Sequence, residues 1–211
     1  MKRILTITLF TFCFSALTFA QKKGDTEFGF NVGFNGSTVS NVDGSSKIGN
    51  GINLGFAADY YFSNRWSIKG KLIYDQKGWN DGYIEFFNEF DPSIPGNTYK
   101  TDFNLNYLTI PVMANWHFGR KKNWYLNFGP YIGFLMSANE TRFDTDLKDG
   151  FNTTDFGLSV GIGVKIPVSD KLKISLEYDE QDGLSDVFKS SGKTVTNSRF
   201  SLNVGVNFIL K

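Results

Sequence analysis

Between Phe28 and Leu210 one pattern recurs about eight times: a large apolar residue at every second position, with glycine, serine, asparagine or a charged residue between. Phe156 to Ile166, Phe-Gly-Leu-Ser-Val-Gly-Ile-Gly-Val-Lys-Ile, shows it in its purest form. A period of two is that of a β-strand whose two faces differ, so each repeat predicts a strand with one greasy side. The rows are Phe28 to Phe34, Ile52 to Phe62, Trp66 to Tyr74, Ile110 to Phe118, Trp124 to Met136, Phe156 to Ile166, Leu172 to Tyr178 and Phe200 to Leu210. Helix-forming residues at a 3.6 period are missing, and the chain reads as all-β.

The connections alternate in length. Ser63 to Arg65, Gly119 to Asn123 and Pro167 to Lys171 are tight turns, whereas Ser37 to Gly49, Asn80 to Thr101, Asn139 to Thr153 and Gln181 to Thr196 are long and polar. Short turns on one rim and long loops on the other match the periplasmic and extracellular ends of an outer-membrane barrel. A strand of about 11 residues, rising ~3.3 Å per residue at ~40° tilt, climbs roughly 27 Å, enough for the apolar band of that membrane. The predicted fold is an eight-stranded antiparallel up-and-down transmembrane β-barrel.

The amino terminus agrees with export. Lys2 and Arg3 precede an apolar stretch from Ile4 to Phe19, and Thr18-Phe19-Ala20 has small residues where a signal peptidase reads. Residues 1–20 are predicted to be a signal peptide and 21–211 the barrel domain. Cleavage after Ala20 removes Cys13, the single cysteine, and leaves 20 basic residues of the original 22 against 21 acidic ones. Disulfides and thiolate chemistry are thereby excluded, and nucleic acid, which calls for a basic face, is not a predicted partner.

Alternation alone leaves open which face points outward, and a secreted lipocalin-like barrel with a greasy interior is the alternative. The polar face is small and in places uncharged, unlike a solvated exterior. Aromatics at Tyr60, Phe62, Trp66, Trp116, Phe118 and Trp124 gather at the short-turn rim, as a girdle does at a lipid interface. With the apolar face outward, Asp59, Lys69, Lys71, Asp75, Lys77, His117, Asp155, Lys165, Lys173, Glu177, Asp179 and Arg199 point into the lumen. Eight strands leave an interior just wide enough for side chains to fill, so these charges must pair. A packed polar core is the expected outcome, and a narrow ion or proton path the alternative. Gly157, Ser159, Gly161 and Gly163 are expected to make room for Lys69, Lys71, Glu177 and other long side chains inside.

Three surface segments invite a functional reading. The loop Asn80 to Thr101 mixes Tyr83, Ile84, Phe86, Phe87 and Phe90 with Asp81, Glu85, Glu89 and Asp91, which suits a protein or glycan partner; alternatively its rings close the barrel mouth or prolong the strands. Asp144 to Gly150 resembles a calcium loop, but Lys148 stands where a ligand should fall. Gly119-Arg120-Lys121-Lys122-Asn123 is a basic turn that fits lipid head groups, a partner, or plain solvent. His117, the single histidine, lacks the partners that catalysis uses, and Asp179 and Glu180 fall on opposite faces of one strand. No catalytic, cofactor or metal residue is predicted, and no cofactor.

Tyr107-Leu108-Thr109-Ile110-Pro111-Val112-Met113-Ala114-Asn115 resembles a Tyr-Leu-Glu-Ile-Pro-Leu-Leu-Leu-Lys type segment of the PorT-like outer-membrane β-barrel family of Bacteroidota. Thr109 replaces the usual acid and Asn115 the usual base, and Pro111 inside a strand predicts a bulge or weak pairing. The resemblance implies a barrel in the bacterial outer membrane, in contact with lipid and lipopolysaccharide, whose relatives include proteins linked to secretion. The function expected is non-enzymatic: a monomeric barrel with a structural or interaction role through its loops or periplasmic rim. A small channel or transporter is the first alternative, and an enzyme acting on lipid or protein the second.

Overall fold

In a computed structural model, which describes residues 22–40, 46–86, 96–190 and 192–210, eight antiparallel strands close into one barrel. They are β1 (Thr26–Val39), β2 (Lys47–Tyr61), β3 (Trp66–Phe86), β4 (Asn97–Phe118), β5 (Trp124–Glu140), β6 (Thr154–Pro167), β7 (Leu172–Gly183) and β8 (Asn197–Leu210). Each pairs with its sequence neighbours, and β1 closes on β8 from Thr26↔Leu210 to Val39↔Asn197. Closure leaves no sheet edge and satisfies the ladder within the wall, as a structure in lipid must. The predicted signal peptide, Cys13 and the loop tip with Phe87, Glu89, Phe90 and Asp91 lie outside the described residues.

The alternation resolves in favour of an apolar exterior. Leu158 and Leu202 are 57% and 61% exposed, while their inward neighbours Ser159 and Ser201 are buried. On the outside, a belt of apolar residues runs between Phe34, Ile52, Tyr74, Leu108, Phe134 and Phe156 at one end and Tyr60, Trp66, Trp116, Trp124 and Ile166 at the other. At the short-turn end Trp66 stacks on Trp116, Trp116 on Phe118 and Phe118 on Trp124, with centroids 6.3, 5.1 and 6.4 Å apart. This continuous row across β3, β4 and β5 is the predicted girdle.

Two local irregularities have sequence causes. Opposite Pro111, which has no N–H to donate, the β3–β4 pairing breaks between Gly70↔Val112 and Ile73↔Thr109 and then resumes in the same register. Pro111 therefore weakens the pairing without bulging the strand. The register shift nearby falls instead at Asn106/Tyr107 against β5. Gly78 takes a φ of +143°, and a Cβ there would lie 1.9 Å from the Phe103 carbonyl oxygen, so only glycine fits where β3 bends beyond the belt.

The β3–β4 hairpin stands well above the rest. β3 continues to Phe86 and β4 starts at Asn97, so much of the segment expected as loop from Asn80 prolongs the strands.

Candidate functional site

The lumen is filled by a ladder of ion pairs. Six acids (Glu27, Asp59, Asp75, Asp155, Glu177 and Asp179) and six bases (Lys69, Lys71, Lys77, Lys165, Lys173 and Arg199) are buried there, and their formal charges cancel. Toward the short-turn rim, Lys165 lies 2.5 Å from Glu27 and 3.0 Å from Asp59, and Lys173 lies 3.0 Å from Glu27. Midway, Glu177 bridges Lys69 at 2.7 Å and Lys71, while Arg199 joins Asp179 to Asp75, the latter at 3.1 Å. Toward the loops, Asp155 accepts from Lys77 at 3.1 Å, Tyr131 Oη at 3.2 Å and Asn197 Nδ2 at 3.1 Å. Buried charges are tolerable only when paired, and each member of this network has an opposite charge within 4.0 Å, with Asp59 Oδ1 and Arg199 Nε left without a hydrogen-bond partner.

The space left over is small. A hole lined by Lys69, Lys71, Tyr125, Glu177 and Asn203 has a volume of about 20 Å³, room for a single water. Inward tyrosines occupy much of the bore: Tyr61, Tyr125 and Tyr131 are buried, with Lys69 4.7 Å from the Tyr125 ring centroid and Lys77 4.8 Å from that of Tyr131. Gly161 and Gly163 of β6 make room for long inward side chains, Asn127 and Tyr125 rather than Lys69 or Lys71. A Cβ on Gly163 would meet Tyr125 Oη at 2.4 Å, and one on Gly161 would meet Asn127 Oδ1 at 2.6 Å.

All twelve residues predicted to face the lumen do so. Sequence reasoning missed Glu27, one residue before the first predicted strand, and it also missed a contact of His117. The imidazole Nε2 lies 3.2 Å from Ser67 Oγ, brought there by the Ser67↔Asn115 pairing of β3 with β4. Both residues are fully buried, and His117 Nδ1 has no hydrogen-bond partner. A serine–histidine nucleophile needs an orienting acid on that nitrogen and room for substrate, and neither is present at this pair.

Above the lipid belt the inward face turns apolar. Val39, Trp79, Phe103, Leu105, Tyr107, Leu135 and Ala138 form a cluster with Phe151, Val187 and Val195 from the two long loops that follow β5 and β7. Trp79 stacks on Phe103 at 4.5 Å, Phe151 packs against Phe188 at 4.9 Å, and a β-bridge joins Phe151 to Phe188. The loops thus close the barrel mouth with an apolar plug. Over this plug lies an open recess of about 450 Å³, lined by Trp79, Tyr83, Ile84, Phe103, Leu147, Phe151 and Phe188, with Glu85, Asp146, Asp149 and Gly150.

The calcium-like segment forms the recess wall. Asp146 Oδ1 accepts the Lys148 N–H at 2.9 Å, and Lys148 Nζ donates to the Met136 carbonyl at 3.0 Å as residues Lys148–Gly150 make a 3₁₀ turn. Nearby, the Glu140 carboxylate anchors the loop. It accepts from Thr101 Oγ1 at 2.7 Å and from the backbone N–H groups of Arg142, Phe143 and Thr145 at 2.8, 2.8 and 3.1 Å. Glu140 lies beyond Met136, the last outward apolar residue of β5. Burial acts to raise its pKa, and the hydroxyl and three amides more than offset this, bringing it down to about 2. At the opposite rim the basic turn is tight, with Gly119 at φ +80° and Arg120 and Lys121 exposed.

Residues 19–189 match the family model described as outer membrane protein beta-barrel domain. Among solved structures, the outer membrane protein OprG of Pseudomonas aeruginosa is similar at a TM-score of 0.53 and 9% identity, over 92% of this chain and 99% of OprG. Neisserial surface protein A is similar at a TM-score of 0.51 and 18% identity, over 87% of this chain and 99% of that one. At such identities the likeness is one of fold. No curated protein matches the chain.

Proposed function

The chain belongs to the outer membrane protein β-barrel domain family and resides in the bacterial outer membrane, and from that premise we propose that it is a non-enzymatic, non-conducting barrel whose working surface is its extracellular crown. One contrast carries the reading: the lumen retains a hole of about 20 Å³ within a charge-balanced network, whereas the crown holds an open recess of about 450 Å³. Conduction needs a continuous watery path, and side chains and an apolar plug interrupt it at two levels. The burial of Ser67 and His117 removes the best-placed nucleophile pair from any substrate.

Planar-bilayer recording of the purified barrel tests this. The expected result is a silent membrane; discrete, reproducible conductance steps would overturn the proposal in favour of a channel. The Tyr107 to Asn115 segment further supports placing the chain among PorT-like barrels of Bacteroidota, acting as a monomer in contact with lipid and lipopolysaccharide. The proposal also has residues 1–20 removed on export, and amino-terminal sequencing of the outer-membrane protein should read Gln21-Lys22-Lys23.

A further inference from the structure

We propose that the crown recess binds a small organic cation with an aromatic or aliphatic body. This deepens the interaction reading above and rests on it. The recess has an apolar floor, with Trp79, Phe103 and Phe151 nearly inaccessible to solvent, and Tyr83, Ile84, Leu147 and Phe188 forming the walls. Its volume of about 450 Å³ lies within the range of ordinary small-molecule sites. Such a floor takes up the apolar part of a ligand.

The rim decides the charge. Glu85, Asp146 and Asp149 line the recess, and among the described residues no lysine, arginine or histidine does. Glu85 and Asp149 are exposed at the edge. Three neighbouring cations are engaged elsewhere: Lys148 donates to the Met136 carbonyl, and Lys47 and Lys100 bind Asp81 at 2.6 and 3.0 Å, while Lys189, beside Phe188, is exposed and joins the recess wall through its backbone N–H to the Gly150 carbonyl at 3.0 Å. Three carboxylates lining one apolar recess favour a cation and repel an anion of the same shape. The exposed aromatic walls add cation–π attraction of the same sign.

The experiment is isothermal titration of the full-length barrel in micelles, against a micelle blank, with tryptamine and with indole-3-propionate. The two share an indole and a two-carbon arm and differ in the sign of their charge. Tryptamine is expected to bind, indole-3-propionate not to. Raising salt from about 20 mM to about 500 mM should weaken tryptamine several-fold, because the rim charges are screened. The triple variant Glu85→Gln, Asp146→Asn, Asp149→Asn should weaken it about tenfold while the variant keeps the heat-modifiable gel mobility of a folded barrel. Equal binding of both indoles, indifference to salt and to the triple variant, or no binding of tryptamine overturns the cation assignment. None of these outcomes produces conductance steps, so failure here is distinguishable from failure of the non-conducting reading.

Discussion

Glu177→Gln is the sharpest test of the packed lumen, because this one carboxylate serves two buried ammonium groups. It lies 2.7 Å from Lys69 and against Lys71, and it accepts from Asn127 Nδ2 at 3.1 Å. The amide keeps the shape and removes the charge. Lys71 retains Asp179 at 3.5 Å, but Lys69 has Glu177 as its one carboxylate within 4.0 Å among the described residues. Breaking one buried pair typically costs ~3–5 kcal/mol, and the two lysines would also repel each other once the acid between them is gone. The expected loss is therefore about 3–5 kcal/mol, measured by urea titration in lipid vesicles. Adding Lys69→Met removes the stranded cation, and the double variant should recover most of the loss, since replacing both partners of a buried pair is often neutral. A loss under about 1 kcal/mol for Glu177→Gln, or a double variant less stable than the single one, would show that water reaches these groups and that the lumen is not packed.

Other expectations follow from the wall and the crown. Leu158→Lys, facing lipid near mid-belt, should cost about 2–4 kcal/mol in the same titration, while Leu158→Phe stays near the parent; equal stability of the two would overturn the orientation. Alternation alone suggests a milder cost for lysine at Ser159, but Ser159 is buried in a charge-balanced lumen, so Ser159→Lys should be at least as damaging. Gly163→Ala places a methyl 2.4 Å from the Tyr125 ring and should cost about 1–3 kcal/mol, whereas Gly70→Ala, with nothing within 4 Å, should be neutral or slightly stabilising. Glu140 has a lowered folded pKa, so its stabilisation of the 141–145 loop is complete above the ordinary value of 4.5 and lost as pH falls from there through about 2. Limited proteolysis of that loop should accelerate over this window, and Glu140→Gln should abolish the pH dependence.

The wall was legible because period two admits only two phases, and each phase predicts which residues share a face. That rule located the three tight turns and every predicted lumen charge. It could not match acid to base: Lys69 and Glu177 are 108 residues apart, and their meeting depends on barrel closure, not on local pattern. It also passed over Tyr61, Tyr125 and Tyr131, which sit at polar-face positions of the alternation yet are bulky, so the small-residue character of that face concealed the rings that fill it. The recess was the least legible part. It joins residues of β3, β4 and two later loops, and no single stretch of chain contains its floor and its rim together.

One sequence signal does mark where the wall ends and the crown begins. From Leu108 through Ile110 and Val112 the apolar residues of β4 face outward; from Tyr107 back through Leu105 and Phe103 they face inward, and Asn106, Asn104 and Asp102 take the outer side. The alternation slips by one residue at the Tyr107-Leu108 pair, where two large apolar residues are adjacent. In lipid the favourable exterior is apolar and the charges must retreat into the lumen; above the lipid the exterior is water and the greasy side must turn inward. A single strand crossing both environments satisfies each by reversing its phase, without any change of secondary structure. The reversal falls level with Tyr74 and Phe134, the paired neighbours of Leu108 at the upper edge of the belt. The apolar plug is thus the same hydrophobic pattern that coats the barrel below, turned inside out where the membrane stops, and the recess is the part of it that the loops leave uncovered.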